Sequence, residues 1–406
     1  MSNKISKKRL GDVVNFKRGY DLPSYNRIEG QYPIVSSSGI SGYHAEYKVE
    51  GEGLVTGRYG TLGEVYYING RYWPHNTALY VTDFKGNYPK YVYYLMKCLG
   101  NLKTSDKSTV PGINRNDLHE IVIPYTEPKN QQKIAAVLSA LDAKIELNQR
   151  INAELESMAK TLYDYWFVQF EYPTTPSALS GTSPKFDRST VEFGGGRRGY
   201  KSAGGKMVWN EELKREIPLG WEVGTLLDIA DYMNGLPCQK FRPTGDEFLR
   251  VIKIKEMHEG YSAETELVRP DIPQKAIIEN GDVLFSWSAS LEVMIWTGGK
   301  GALNQHIFKV TSEKYPKSFY YFQLINYLQH FKMMAENRKT TMGHITQEHL
   351  KQSRIALPPK ELTMELEKII DPIFKRKMNN EIENQQLTEL RDWLLPMLMN
   401  GQVKVN

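Results

Sequence analysis

Apolar residues recur every three to four positions along two long stretches of the chain. In the first, Ile134, Leu138, Leu141, Ile145, Asn148, Asn152, Leu155, Ala159, Leu162 and Trp166 share one stripe. In the second, the stripe runs through Leu362, Leu366, Ile369, Ile373, Arg376, Asn380, Glu383, Leu387, Leu390 and Leu394. This spacing predicts two amphipathic helices with heptad-like seams. A helix of roughly 38 residues is about 57 Å long, too long to bury its stripe on one small domain. The natural partner of each helix is the other. Antiparallel pairing juxtaposes Asn148 and Asn380, each near its helix midpoint, as a register device, unless both are simply solvated.

The rest of the chain repeats as well. "NYPKYVYYLMKCL" matches "KYPKSFYYFQLIN", with Tyr88 on Tyr315, 227 residues apart. Gly53 falls on Gly281 and Asn76 on Asn304, both 228 apart, while Gly112 falls on Gly343 and Pro128 on Pro359, both 231 apart. Five matches in chain order make the protein two copies of one unit. Each copy reads as short strands and turns, one helix (about 88–102 and 316–334), a short strand ending in Pro, and then the long helix. The expected boundaries are a first mixed domain at 1–127, a long helix at 128–167 and a linker at 168–216. A second mixed domain follows at 217–358 and a second long helix at 359–400. The fold class is α+β: two mixed domains joined by an antiparallel pair of long helices, with an internal pseudo-two-fold repeat. Pro, Ser and Gly mark the segment between Tyr172 and Asn210 as a loosely packed linker. Its Arg197, Arg198, Lys201 and Lys206 read first as solvated charges and second as phosphate contacts.

Composition narrows the class without deciding it. The 406 residues carry 52 basic and 47 acidic side chains, a mild net charge of +5 that permits nucleic-acid binding without arguing for it. No apolar run is long enough to span a membrane and the first residues lack a secretion signal. Cys98 and Cys238 stand alone, which suits a reducing cytoplasm. Catalytic chemistry finds little support. The glycines of "TGRYGTLGE" lie in a strand-turn context, and "SAGGKM" and "TGGKGA" lack phosphate-loop spacing. None of the 8 histidines has zinc spacing, and His344 and His349 read as a surface pair. No cofactor, metal site or catalytic residue is expected. A scaffold that ignores DNA leaves two elaborate mixed domains without a task.

Several stretches carry a family resemblance: "YPIVSSSGISGYHAEY", "GLVTGRYGTLGEVYY", "PHNTALYV", "EPKNQQKIAAVLSALDAKIELNQRINAELESMAKTLYDYWF" and "KREIPLGWEV". With the repeat, they make the chain resemble the specificity subunit of Type I DNA restriction-modification systems. The resemblance implies that each mixed domain is a target recognition domain reading half of a split, asymmetric site in double-stranded DNA. It implies that the helix pair separates the two domains and docks two modification (methyltransferase) subunits, with restriction (motor-nuclease) subunits joining for cleavage. This chain is then a non-catalytic, cytoplasmic subunit. A recognition subunit of a related multi-subunit methyltransferase or nuclease system is the alternative.

Base reading needs hydrogen-bonding side chains on loops, with cations nearby for phosphates. The first domain offers Arg58 and Tyr59, Asn76, and a loop with Lys103, Lys107, Ser108, Thr109, Asn114 and Arg115. The second offers Ser286, Trp287 and Ser288, then Gln305 and His306, then Arg338, Lys339, Thr340 and Thr341. The copies differ most at these loops, so the half-sites should differ. Helix–helix or subunit contacts are expected from Leu141, Ile145, Asn148, Trp166, Asn380, Leu387 and Trp393. The aromatic helix ends, with Tyr163, Phe167 and Leu394, should be buried at domain or subunit contacts.

Overall fold

The computed structural model describes residues 5–57, 64–100, 115–173, 199–337 and 344–405. The chain divides into two compact units, residues 1–147 with 384–406 and residues 148–383.

The first unit opens with β1 (Ser6–Arg9), a single turn α1 (Leu10–Val13) and β2 (Asn15–Arg18). Strands β3 (Tyr32–Ser36), β4 (Gly39–His44), β5 (Val49–Gly57), β6 (Val65–Pro74) and β7 (Ala78–Asp83) follow, then helix α2 (Pro89–Gly100). Helix α3 (Arg115–Glu120) and β8 (Val122–Tyr125) lead into α4 (Pro128–Phe167). One six-stranded sheet runs β2-β7-β5-β6-β3-β4, and β1 pairs antiparallel with β8. Val13, Phe16, Leu54, Leu79 and Val81 meet Tyr91, Val92 and Leu95 of α2 in the core. The core is closed by Ile134, Ala135 and Leu138 of α4 and by Leu395, Leu398 and Met399 of the C-terminal helix. Gln131, fully buried, locks α2 to α4: its amide donates to Asn87 Oδ1 and the Thr126 carbonyl and accepts from Tyr88 N, all at 2.8 Å.

The second unit adds a hairpin, β9 (Met207–Asn210) and β10 (Arg215–Pro218), before the copy begins with β11 (Glu222–Thr225), α5 (Leu226–Ile229) and β12 (Asp231–Asn234). Then come β13 (Leu249–Ile252), α6 (Ile254–Glu259), β14 (Leu267–Val268), β15 (Ile277–Ile278), β16 (Val283–Ser286) and β17 (Glu292–Ile295). Strands β18 (Gly301–Leu303) and β19 (Ile307–Thr311), helices α7 (Lys317–Asn337) and α8 (Gln347–Gln352), β20 (Arg354–Leu357) and α9 (Lys360–Met399) complete the chain. Here the strands form two four-stranded sheets, β12-β19-β16-β17 and β14-β13-β18-β15, while β11 pairs with β20 as β1 pairs with β8. Tyr163, Trp166 and Phe167 of α4 pack with Phe319, Phe322 and Leu324 of α7 and Leu366 and Ile370 of α9.

Both long helices have 40 residues. Burial aligns Ile134 with Leu366, Leu138 with Ile370, Tyr163 with Leu395 and Trp166 with Leu398. This register differs by one residue from the match of Pro128 to Pro359. The helices pair antiparallel in each unit. In the first, Arg391 reaches Asp142 Oδ1 at 2.9 Å and Asn384 Nδ2 donates to the Ile145 carbonyl at 3.4 Å. In the second, Asn148 Nδ2 donates to Glu383 at 2.7 Å and Asn380 Nδ2 to Asn152 Oδ1 at 2.8 Å. Asn152 also donates to the Lys377 carbonyl, at 3.3 Å, the counterpart of the Asn384–Ile145 bond. Asn380 therefore meets Asn152, one turn away from the expected Asn148.

Other expectations change in detail. Leu390 is 43% exposed and Arg376 is exposed, because a 3.6-residue helix drifts off a strict heptad. Leu141, Ile145 and Leu387 are half-buried in the seam. Trp393 is 57% exposed, whereas Tyr163, Trp166 and Phe167 are core residues and Leu394 packs on the first unit's core. The expected linker is not loose at its ends. Tyr172 stacks on Tyr200 at 4.9 Å, both pack near Trp221, and residues 207–218 form the hairpin. Aromatic burial overrides the turn-rich composition there; residues 174–198, with Arg197 and Arg198, lie outside the described residues.

The buried Asn152–Asn380 pair makes a direct prediction. Asn152→Ala leaves the Asn380 amide without its acceptor and should lower stability by about 1–3 kcal/mol. Asn152→Leu with Asn380→Leu should recover most of that loss, as thermal denaturation of the two variants will show.

Candidate nucleic-acid interface

A four-residue turn recurs at the same place in both units. In the first, Ala78 N donates to the His75 carbonyl at 3.0 Å, leaving Asn76 and Thr77 at the corner between β6 and β7. In the second, Ile307 N donates to the Asn304 carbonyl at 3.1 Å, leaving Gln305 and His306 at the corner between β18 and β19. The strand leading away from α1 or α5 passes beneath each turn. Tyr20 N and Leu236 N donate at 2.8 Å to Pro74 O and Leu303 O, and Gly19 N and Gly235 N donate to Ala78 O and Ile307 O. A Cβ at Gly19 would lie 2.1 Å from the His75 carbonyl, and one at Gly235 2.3 Å from those of Leu303 and Asn304, so only glycine fits under either turn. These bonds pair His75 with Asn304, Asn76 with Gln305 and Thr77 with His306. The sequence alignment of Asn76 on Asn304 was off by one residue.

The side chains at the two turns differ. Asn76 donates to Asp21 and its carbonyl accepts from Arg18 Nε at 3.3 Å. Thr77 Oγ1 sits 3.0 Å from His75 Nδ1. Burial, followed by the Arg27 charge, lowers the His75 pKa, which favours the neutral imidazole. In the second unit His306 is exposed and its Nε2 lies 3.3 Å from Gln305 Nε2.

Three separate stretches of the second unit converge on Trp287. Its backbone N donates to the His306 carbonyl at 3.3 Å, and Ile345 N donates to the Trp287 carbonyl at 2.9 Å. The indole Nε1 donates to Asn234 Oδ1 at 2.9 Å, and the ring lies 5.5 Å from the His306 ring and 5.4 Å from that of His344. The strand hairpin, the turn and the segment before α8 therefore form one polar-aromatic surface.

Not every candidate belongs there. Ser286 is fully buried, its hydroxyl bonded to the Ser290 carbonyl and accepting from Glu292 N at 2.9 Å. Ser288 is 5% exposed. Both shape the loop and cannot meet a base edge as it stands. Arg115 opens α3, exposed, with its guanidinium on Asn116 Oδ1. Arg58, Tyr59, Lys103, Lys107, Ser108, Thr109, Asn114, Arg338, Lys339, Thr340 and Thr341 lie outside the described residues. Sequence reasoning missed Thr77, which lies in "PHNTALYV", and also Arg18 and Asn234, which no motif marks and which reach the site on the strand that ends at the crossing glycine. It also read His349 as a surface residue, but that side chain is 8% exposed and caps α8, its Nδ1 accepting from Thr346 N at 3.0 Å. Among the described residues, no group of three or more His, Cys, Asp or Glu could hold a metal ion.

Residues 3–157 and 218–391 match the family described as Type I restriction modification DNA specificity domain, once in each copy. The chain is 27% identical over 330 residues to the Type I restriction enzyme MjaIX specificity subunit of Methanocaldococcus jannaschii, covering 78% of this chain and 69% of that one. It is 26% identical over 334 residues to the HindI specificity subunit of Haemophilus influenzae, covering 74% and 72%. The crystal structure of a Type I restriction-modification S subunit from M. genitalium superposes with a TM-score of 0.59 at 15% identity, over 98% of this chain and 96% of that one, a likeness of fold. With both copies matched across most of its length, the chain belongs to the family of Type I restriction-modification specificity subunits.

Proposed function

We propose that each unit reads one half of a split, asymmetric target in double-stranded DNA. The observation that carries this reading is the recurring turn: one backbone geometry presents Asn76 and Thr77 in the first unit and Gln305 and His306 in the second. Asn and Gln amides suit the donor–acceptor edge of adenine in the major groove, and an exposed His can serve purines. Different side chains on the same scaffold imply two different half-sites. Trp287, Asn234 and His344 complete the second reading surface, with Arg18 and Arg115 supplying phosphate contacts to the first. Arg58, Lys103, Lys107, Arg338 and Lys339 are further candidates for DNA contact in this proposal.

In the same reading, this chain positions two modification subunits, and restriction subunits join them in a cytoplasmic complex. Exposed apolar residues on the long helices support docking: Leu147, Met158 and Tyr165 on α4, Leu390 and Trp393 on α9. The chain itself contributes recognition, and methyl transfer and cleavage belong to its partners.

Two outcomes test the reading heads. Replacing Gln305 and His306 together by Ala should relax specificity at one half-site by about 1–3 kcal/mol for each lost base contact and leave the other half-site unchanged. Sequencing the methylome of cells that express the variant with its partner subunits measures this. Altered methylation at both half-sites would rule out independent heads. Gly235→Ala, which forces the turn off the underlying strand, should cost about 1–3 kcal/mol in thermal stability and abolish recognition at the same half-site.

A further inference from the structure

The seam between α4 and α9 is polar in different layers on its two sides. In the first unit, Tyr94 donates to Asp142 Oδ2 at 2.6 Å and Arg391 holds Asp142 Oδ1 at 2.9 Å. The Asp142 and Arg391 side chains are only 29% and 20% exposed. The positions that correspond in the second unit are Tyr321, Phe374 and Ala159, and the layer there is apolar: Tyr321 meets Phe374 edge-on at 5.4 Å, and Ala159 is fully buried in the same cluster. A second layer reverses the pattern. Lys377 bridges Glu156 at 3.0 Å in the second unit, where the first has Ile145 and Thr388.

This alternation distinguishes the unlike helix from a like one. If α4 paired with α4 of a second copy, Asp142 would face Ala159 and Glu156 would face Ile145. If α9 paired with α9, Arg391 would face Phe374. Each mismatch strands a partly buried charge. We propose that the Tyr94–Asp142–Arg391 layer is a pairing determinant that makes α4 accept α9 and reject the same helix of a second copy of this chain. Like-with-like pairing would join two identical reading units; the determinant keeps the two unlike units together. The pairing preference stands apart from DNA reading, and so does its test.

The test uses full-length chains carrying two different affinity tags, denatured together, refolded together and purified through one tag. Chains that exchange helices in the unlike pairing set the wild-type background. Asp142→Phe with Arg391→Ala makes the layer apolar on both sides and should raise co-purification of the second tag about tenfold, since neither Asp142 nor Arg391 then opposes like pairing and only the more exposed Glu156–Lys377 layer still does. Asp142→Arg with Arg391→Asp keeps an unlike ion pair and should stay at the wild-type level. Wild-type levels for both variants, with melting temperatures showing both folded, would overturn the proposal. An equal rise in both would also overturn it, because any loosening of the seam would then suffice.

Discussion

Burial of the apolar stripes of α4 and α9 is the constraint on which both units depend. The first unit's core is closed by the beginning of α4 and the end of α9, through Ile134 and Leu138 with Leu395 and Leu398. The second is closed by the beginning of α9 and the end of α4, through Leu366 and Ile370 with Tyr163 and Trp166. The first core is built from two separate stretches of chain, and the second takes helix ends from either side of its mixed domain. Full burial of side chains this size is worth about 1.5–3 kcal/mol each relative to exposure, so a mixed domain cut off from the distant helix end loses a substantial share of its stability. Fold and repeat are thus one problem: the second copy supplies the helix end that the first lacks.

The same economy explains how the proposed reading surface can vary on a fixed frame. Glycine under each turn lets two backbones approach to distances no side chain tolerates, and main-chain hydrogen bonds then hold the turn whatever its corner residues are. Asn76 and Thr77, or Gln305 and His306, are therefore free to change without cost to the strand pairing. The interior of the loop is less free. Ser286 and Ser288 lie among the candidates along the chain but are committed to internal packing and hydrogen bonding.

Much of this was legible in the sequence, and the failures have physical causes. Periodicity located both long helices because their 40 residues repeat the stripe many times. The repeat located the turns, since β6–β7 and β18–β19 bring their corners to matching places. Register was read less well. Counting from the helix ends paired Asn148 with Asn380, but packing at the ends sets the antiparallel register one turn away, with Asn152 on Asn380. Composition misjudged the flanks of the inter-repeat segment, because Tyr172, Tyr200 and Trp221 bury one another across residues that look like a linker. Arg18 and Asn234 carry no signature at all; only the crossing of the strand beneath each turn brings them to it.

Polar layers inside the seam weaken the pairing relative to an all-apolar one, so their retention calls for a role beyond stability. The Asn152–Asn380 bond joins α4 to α9 at one layer of the seam and favours that register. A symmetric device of this kind cannot tell α4 from α9, since asparagines stand on both helices. The Asp142–Arg391 pair can, because its charges are opposite and its counterpart layer is aromatic. Register and partner choice are therefore set by different residues in one seam. In the proposed reading, units that differ at Asn76 and Gln305 give an asymmetric target only while unlike helices remain paired, so helix pairing would govern recognition more than either turn alone.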